Sequence, residues 1–423
     1  MEHQEGGRVG EHCKDAGMKA GWEFKTLGDV CEIINGGTPK TNTPEFWDGE
    51  HQWITPAEMG KRMSPYVSQT LRTLTSVGLR NSSARLIPEQ SVILSTRAPI
   101  GHLVINTVPM ATNQGCRGLV PSARLITRYL YYFLTHNVDL LNDLGTGTTF
   151  KELAAGKLKE IPIPLPPLAE QQRIVAILDE AFEGIATARA NAVKNHENAR
   201  ALFESHLEAV FSKRGEGWVE KRLEEVCNLL PGYAFKSADY INASKTLNIR
   251  MSNIRPGGSF DSEHNQKFLP DSYAKKYSAY SLYEGDLIIA MTDMAGDPKI
   301  LGVPTLVRNL NGRNFLMNQR VGKLFDFTPD VCQRYLRYFL TSPSVKKYYK
   351  TKGAGGLQIN ISKGDILSVV VPLPNVEHQD CVTQQLDALR EETNHLTDIY
   401  TQKIAALDAL KKSLLHQAFS GAL

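Results

Sequence analysis

Arginine, asparagine, glutamine and lysine gather in short turns of this 423-residue chain. In the first half they are Lys40 and Asn42 in Thr38-Pro-Lys-Thr-Asn42, Arg97 in Ser95-Thr-Arg-Ala98, and Asn113, Gln114 and Arg117 in Thr112-Asn-Gln-Gly-Cys-Arg117. In the second half they are Arg250, Asn253 and Arg255 in the run 248–255, Arg313 in Asn311-Gly-Arg-Asn314, and Asn318, Gln319 and Arg320. Such side chains can read the edges of base pairs, because Arg offers a two-pronged donor to guanine and Asn or Gln offers a donor and an acceptor to adenine. The plainer reading of any one of them is a solvated turn. Asn113-Gln114 and Asn318-Gln319 recur in both halves, which favours a backbone-satisfying role for that pair.

A catalytic constellation is missing. Gly156-Lys157 is followed by Leu158, so there is no phosphate loop, and Gly145-Thr-Gly147 lacks the third glycine of a dinucleotide cradle. Pro166-Pro167 stands between leucines, without the acidic or amide residue and the aromatic that would make an amino-methyltransferase motif. Carboxylates and histidines are scattered, with none at metal-ligand spacing. The six cysteines, at 13, 31, 116, 227, 332 and 381, form no Cys-x-x-Cys pair and no zinc pattern. They read as reduced, mostly packing thiols. The expectation is a binding protein with no cofactor or metal of its own.

The elements that must position these turns come in two copies. Trp22 to Cys31 and Trp218 to Cys227 share Trp-x-x-x-x-Leu-x-x-Val-Cys, and Ile87–Leu94 matches Leu282–Ile289. The Asn-Gln pairs follow. Arg128-Tyr-Leu-Tyr-Tyr-Phe-Leu-Thr135 then matches Arg334-Tyr-Leu-Arg-Tyr-Phe-Leu-Thr341, and Gly145-Thr-Gly147 matches Gly353-Ala-Gly355. Five anchors in one order establish an internal duplication. Within each copy, β-branched runs alternate with Gly, Asn and Pro turns, and the tyrosine-rich segment has helical spacing that favours a core role over a base-stacking one.

Each copy ends in a Pro-rich strand and about 45 residues without proline. The first of these stretches places Ile174, Leu178, Ala181, Ile185, Ala188, Ala192, Ala199 and Leu202 on one seam. The second places Val382, Leu386, Leu389, Leu396, Leu407, Leu410 and Leu414 there, 208 positions later where they match. Asn195 and Lys403 interrupt the seams at one equivalent place. Each helix would be roughly 65 Å long, so the two must bury their seams on each other. A second apolar line, Val175, Phe182, Phe203 and Val210, either widens that core or receives helices of a partner protein. With about five residues between the first helix and the second domain, and with domain termini close together, the helices are expected to run antiparallel with a domain at each end.

The expected fold is therefore α+β: two pseudo-two-fold-related α/β domains, 22–167 and 214–375, separated by long antiparallel coiled-coil helices, 168–213 and 376–423. Residues 1–21 read as a disordered extension. The formal charge of +3 says little, but its distribution is uneven. The two domains carry +2 and +7 and the two helical regions −2 and −3, which suits domains that touch a polyanion and a spacer that does not. No segment resembles a signal peptide or a membrane span, so a cytoplasmic protein is expected.

The run Leu165-Pro-Pro-Leu-Ala-Glu-Gln-Gln-Arg-Ile-Val175, the two Trp-x-x-x-x-Leu-x-x-Val-Cys openings and the closing Leu-x-x-Ala-Phe-Ser-Gly-x-Leu at 415–423 resemble the specificity subunit of type I restriction-modification systems. The likeness covers 22–423. It implies two target-recognition domains, each reading half of a split sequence in double-stranded DNA. It also implies two modification subunits that use S-adenosylmethionine for adenine N6-methylation, and restriction subunits that use ATP and Mg. A coiled-coil scaffold with two protein-binding domains is the alternative, distinguished by the salt dependence of duplex binding.

Overall fold

The computed structural model describes residues 21–147, 151–213 and 215–423. The N-terminal extension up to residue 20, with Cys13, lies outside the described residues. The chain divides into two compact units, one of residues 1–192 with 402–423 and the other of 193–401. Each unit takes one domain and part of both long helices.

In unit 1 the domain's first and last strands, Glu23–Thr26 and Pro162–Leu165, pair antiparallel with Glu23 opposite Leu165. In unit 2 Val219–Arg222 and Val370–Leu373 do the same, with Val219 opposite Leu373. This pairing puts the entry and exit of each domain side by side. The helices within a unit consequently run antiparallel. In unit 1, Arg173 bonds the Leu423 carbonyl at 2.7 Å and Arg189 pairs with Asp408 at 2.9 Å. In unit 2, Arg390 lies over Phe203 while Leu207 and Phe211 share a core with Val382 and Leu386.

Between those closing strands the sheets repeat. Val92–Thr96 is flanked antiparallel by Cys116–Pro121 and Ile100–Asn106, and Cys31–Asn35 lies beyond Cys116–Pro121. In unit 2, Leu287–Ala290 is flanked by Val321–Phe325 and Pro304–Leu306, with Asn228–Pro231 beyond. A parallel pair recurs too, Trp47–Ile54 with Met110–Thr112 and Thr246–Ile249 with Asn314–Met317. The Leu, Val and Cys of both opening motifs are core residues. Burial pushes the thiols of Cys31, Cys116 and Cys227 up to about 12, as expected of packing cysteines.

The long helices, Leu168–Ser212 and Val376–Ser420, begin directly after the Pro-rich strands. A buried glutamine fixes each start. Gln171 donates to the carbonyls of Arg124 and Pro166 and accepts from Ile126 N–H, all at 2.9 Å. Gln379 donates to Asp330 and Pro374 and accepts from Cys332 N–H, all at 2.8 Å. The tyrosine-rich helices, Thr127–His136 and Gln333–Leu340, lie against them. Tyr129 and Tyr335 donate to Pro164 and Pro372 carbonyls at 2.9 and 2.6 Å. Tyr132 and Arg128 hold Asp179, and Tyr338 and Arg334 hold Asp387. The tyrosines are core, as their spacing indicated.

The seams differ from the heptad reading in one respect. Ile174, Leu178, Ile185, Ala192, Ala199, Val382 and Leu386 are buried, but Leu202, Leu396 and Leu410 are 53%, 38% and 47% exposed. A straight helix drifts by about 20° per heptad from a strict seven-residue repeat. The turns that dock on the domains bury Leu207, Phe211, Leu415 and Ala418 instead. Asn195 and Lys403 are both exposed, at the solvated part of the helices.

Candidate nucleic-acid interface

In unit 1 the structure brings the predicted turns together. A depression of about 310 Å³ is lined by Thr55, Pro56, Arg97, Asn113, Gln114 and their neighbours. Arg97 and Gln114 are exposed on its rim. Gln114 accepts a hydrogen bond from the Thr38 hydroxyl, which joins the 38–42 turn, with exposed Lys40 and Asn42, to the same rim. Ala98 is held at φ +48, a left-handed conformation that costs a non-glycine residue about 1 kcal/mol or more. Strain of this kind at a polar rim is what a site demanding a fixed side-chain direction tolerates. Arg97 and Arg117 stand 3.8 and 3.9 Å from Glu152. The Arg117 side chain is only 11% exposed and faces Glu152, so it stiffens the rim and does not reach out.

The Asn-Gln pairs divide their labour. Asn113 Oδ1 accepts from Gly115 N–H at 3.1 Å, its N–H donates to Ile54 O, and its carbonyl accepts from Cys116 N–H. Asn318 repeats all three, with Arg320, Ile249 and Val321. Both asparagines thus build a turn. A Cβ on Gly36 or on Gly232 would collide with the carbonyl oxygen of Asn113 or Asn318, which is why each copy keeps a glycine there. Gln114 and Gln319, one position on, are exposed.

Unit 2 places its candidates differently. Gln319 and Arg320 are exposed, and Arg255 is half-buried in the loop closed by its N–H to the Ser259 carbonyl. Asn253 is 2% exposed and takes a structural role instead of a base-reading one: it accepts from Arg250 N–H and donates to the carbonyls of Asp261 and His264. Arg250 donates to the Asn265 carbonyl at 2.5 Å. Arg313 is committed to Glu263 and holds that carboxyl below its usual range. These three residues brace the 250–265 loop, so their side chains have little left to offer a base.

A feature of unit 2 was not foreseen from the sequence. Tyr233, Phe235, Tyr273, Tyr277 and Tyr280 form one aromatic cluster, with Tyr233 and Tyr277 centroids 4.6 Å apart. Lys276 Nζ sits 5.0 Å from the Tyr277 ring. Tyr233 adjoins the Asn318–Arg320 turn, since its carbonyl accepts from Gln319 N–H at 3.0 Å. Aromatic rings edged by lysines suit stacking and phosphate binding. The available signal was compositional: six of the fifteen tyrosines fall between 233 and 283, in the more basic domain.

The predicted partner line is partly buried on its own unit. Val175 and Phe182 pack on the unit 1 core and Phe203 and Val210 on that of unit 2. Phe182 stands edge-on to Tyr132 at 5.3 Å. The apolar residues left in solvent on the helices include Leu202, Leu396 and Ile399 in unit 2 and Leu410 in unit 1. Among the described residues no group of three His, Cys, Asp or Glu side chains could hold a metal ion, and no helix is long and apolar enough to cross a membrane.

The family model for the type I restriction modification DNA specificity domain matches twice, over residues 19–195 and 215–407. The chain belongs to this family. A type I restriction enzyme specificity subunit, MjaIX of Methanocaldococcus jannaschii, is 30% identical over 286 residues, covering 62% of the chain and 65% of the relative, just under two thirds of its length. The MjaVIII specificity subunit of the same organism is 22% identical over 413 residues, covering 95% and 92%. A solved chain described under complex assembly and conformational transition of the type I R-M system is 20% identical. It covers 96% of this chain and 99% of its own length with a TM-score of 0.76, a likeness of fold. Each family match ends inside a long helix, so this specificity domain carries its helical arm with it.

Proposed function

We propose that this chain is the non-catalytic reading subunit of a type I restriction-modification assembly. Each unit recognises one half of a split duplex sequence: unit 1 through the Arg97, Gln114, Lys40 and Asn42 rim, unit 2 through Gln319, Arg320 and the tyrosine cluster. The observation that carries this reading is the contrast within each copy. The buried bonds of Gln171 and Gln379, of Tyr129 and Tyr335, and of Asn113 and Asn318 are the same, and the exposed Gln114 and Gln319 recur, whereas the other polar residues around them differ: Lys40, Asn42 and Arg97 in unit 1, Arg320 and the tyrosine cluster in unit 2. A shared scaffold with divergent polar rims suits two half-sites of different sequence. Methyl transfer from S-adenosylmethionine and ATP- and Mg-dependent cleavage then belong to modification and restriction subunits. The exposed Leu202, Leu396 and Ile399 of unit 2, and separately Leu410 of unit 1, offer the modification subunits apolar positions on the helices.

Exchange of residues 22–160 for the matching segment of a relative tests this. With a modification subunit present, sequencing of methylated DNA should show one half of the target replaced and the other unchanged. A change in both halves would overturn the assignment of one half-site to each unit. The purified chain alone should transfer no methyl group to DNA.

A further inference from the structure

Unit 2 holds a depression that base reading does not use. It lies between the 200–207 and 390–397 segments of the long helices and the domain, with a volume of about 520 Å³. That is the size of a small-ligand site. Five cations line it, Arg200, Lys299, Arg337, Lys346 and Arg390, against one carboxylate, Glu204. An adjoining hollow of about 440 Å³ shares three of them and adds Lys350.

Arg390 is the lining cation held against aromatic rings. Its guanidinium lies 4.6 Å from the Tyr338 ring and 5.0 Å from that of Phe203. The nearby Asp387 is already engaged by Arg334 and the Tyr338 hydroxyl. Among the described residues Arg200, Arg337 and Arg390 have no ion-pair partner, and Glu204 reaches only Lys346, at 3.6 Å. Burial, with the Arg337 charge beside it, holds the Arg390 pKa below its ordinary value. A desolvated cation near a second cation is unfavourable unless an anion joins them.

The fold does not require this charge. By the 208-residue repeat of the helices, unit 1 carries Phe182 where unit 2 has Arg390, and Lys411 where unit 2 has Phe203. Lys411 Nζ lies 5.0 Å from the Phe182 ring, so the packing asks for one cation over one ring, and the two helices have exchanged which supplies it. At the other equivalent places unit 1 has Tyr131 for Arg337 and Asp408 for Arg200, and Asp408 neutralises Arg189. Unit 2 has replaced a phenol and a carboxylate by guanidiniums.

We infer that this cleft binds a phosphate-bearing anion, gripped by the forked donors of Arg390 and Arg337 with Arg200, Lys299 and Lys346 supplying charge. Guanidinium geometry alone fits carboxylate or phosphate. Charge density decides: Lys299 is paired with Asp297 at 3.3 Å and Lys346 with Glu204, and the excess of three cations that remains in a space this small is matched by clustered phosphates, whereas an acidic peptide brings few carboxylates into such a volume. The phosphates come either from the backbone of a bound duplex or from a free polyphosphate.

The test uses the full-length chain with the variants Arg200→Gln, Arg337→Gln and Arg390→Lys. In the first arm, calorimetric titration with inorganic tripolyphosphate should show binding that each glutamine variant weakens about tenfold. Arg390→Lys, which keeps the charge over the rings but loses the fork, should weaken it less. In the second arm, the slope of log affinity against log salt is measured for a duplex of arbitrary sequence. Backbone phosphates in the cleft predict a fall of about two in the Arg200→Gln/Arg337→Gln double variant. An effect in the first arm alone identifies a free polyphosphate, and an effect in the second identifies the DNA backbone; either supports the site. Unchanged behaviour in both arms overturns it, as does variant-sensitive binding of poly-glutamate without tripolyphosphate. Arg200 is exposed, so its replacement leaves a folded protein to measure. The tripolyphosphate arm is independent of sequence recognition, and its outcome is therefore separable from that of the domain exchange.

Discussion

The two units share a skeleton and differ at the surface. Where a side chain satisfies buried backbone, the copies agree atom for atom: glutamine at the helix start, tyrosine on the proline carbonyl, asparagine in the Asn-Gln turn. Where side chains meet solvent they part, the exposed Gln114 and Gln319 excepted. Unit 1 offers an open rim of Arg97 and Gln114; unit 2 offers a tyrosine cluster and a cationic cleft. An unsatisfied buried polar group costs about 1–3 kcal/mol, so those positions are fixed by stability, while the exposed ones are open to change of specificity.

The largest effect expected of this comparison is at the shared glutamines. Gln171→Ala and Gln379→Ala each strand two carbonyls and one N–H in the interior, and each should destabilise its own unit by about 2–4 kcal/mol. Hydrogen exchange read unit by unit measures this. Equal losses would confirm the equivalence of the two starts, and a loss in one unit alone would break it.

Recognition comes next. Arg97→Ala or Gln114→Ala should relax base preference in one half of the target, and Gln319→Ala or Arg320→Ala in the other. Removing a two-pronged hydrogen bond to a base should cost about 1–3 kcal/mol of discrimination at that position. Binding to duplexes substituted in one half at a time reads the effect. A variant that altered both halves would sink the division between units.

The smallest expected effect is an asymmetry with pH. In unit 1 burial and the facing His416 hold the His136 pKa below its usual value, with Phe419 stacked on the ring at 5.7 Å. The corresponding places in unit 2 are Ser342 and Glu208. A depressed histidine pKa means the unfolded chain binds the proton more readily. Its stabilising contribution is therefore present above about pH 6.5 and is lost as pH falls through the folded value. Acidification from pH 7 to 5 should weaken unit 1 more than unit 2 in urea titrations, and His136→Gln should reduce the difference.

The sequence alone determined the duplication, the two long helices and their antiparallel sense, and the core role of the tyrosine-rich segments. Each rests on local chemistry or chain connectivity: proline-free periodic stretches, motifs recurring in order, and a linker too short to cross a helix length. It also marked Asn113 and Asn318 as backbone-satisfying, but it assigned the same role to Gln114 and Gln319, which the structure leaves exposed. It did not separate Asn253 and Arg313, which brace a loop, from Gln319 and Arg320, which face solvent, because all four are polar residues in Gly- and Asn-rich turns. Only the tertiary structure decided which had carbonyls and carboxylates within reach. The same holds for the helices, where heptad spacing put Leu202 and Leu410 on the seam. Docking on the domains turned the buried face toward Leu207 and Leu415 instead. Sequence periodicity records which residues share a face; what covers that face depends on packing between segments far apart in the chain, and this exists only once the chain has folded.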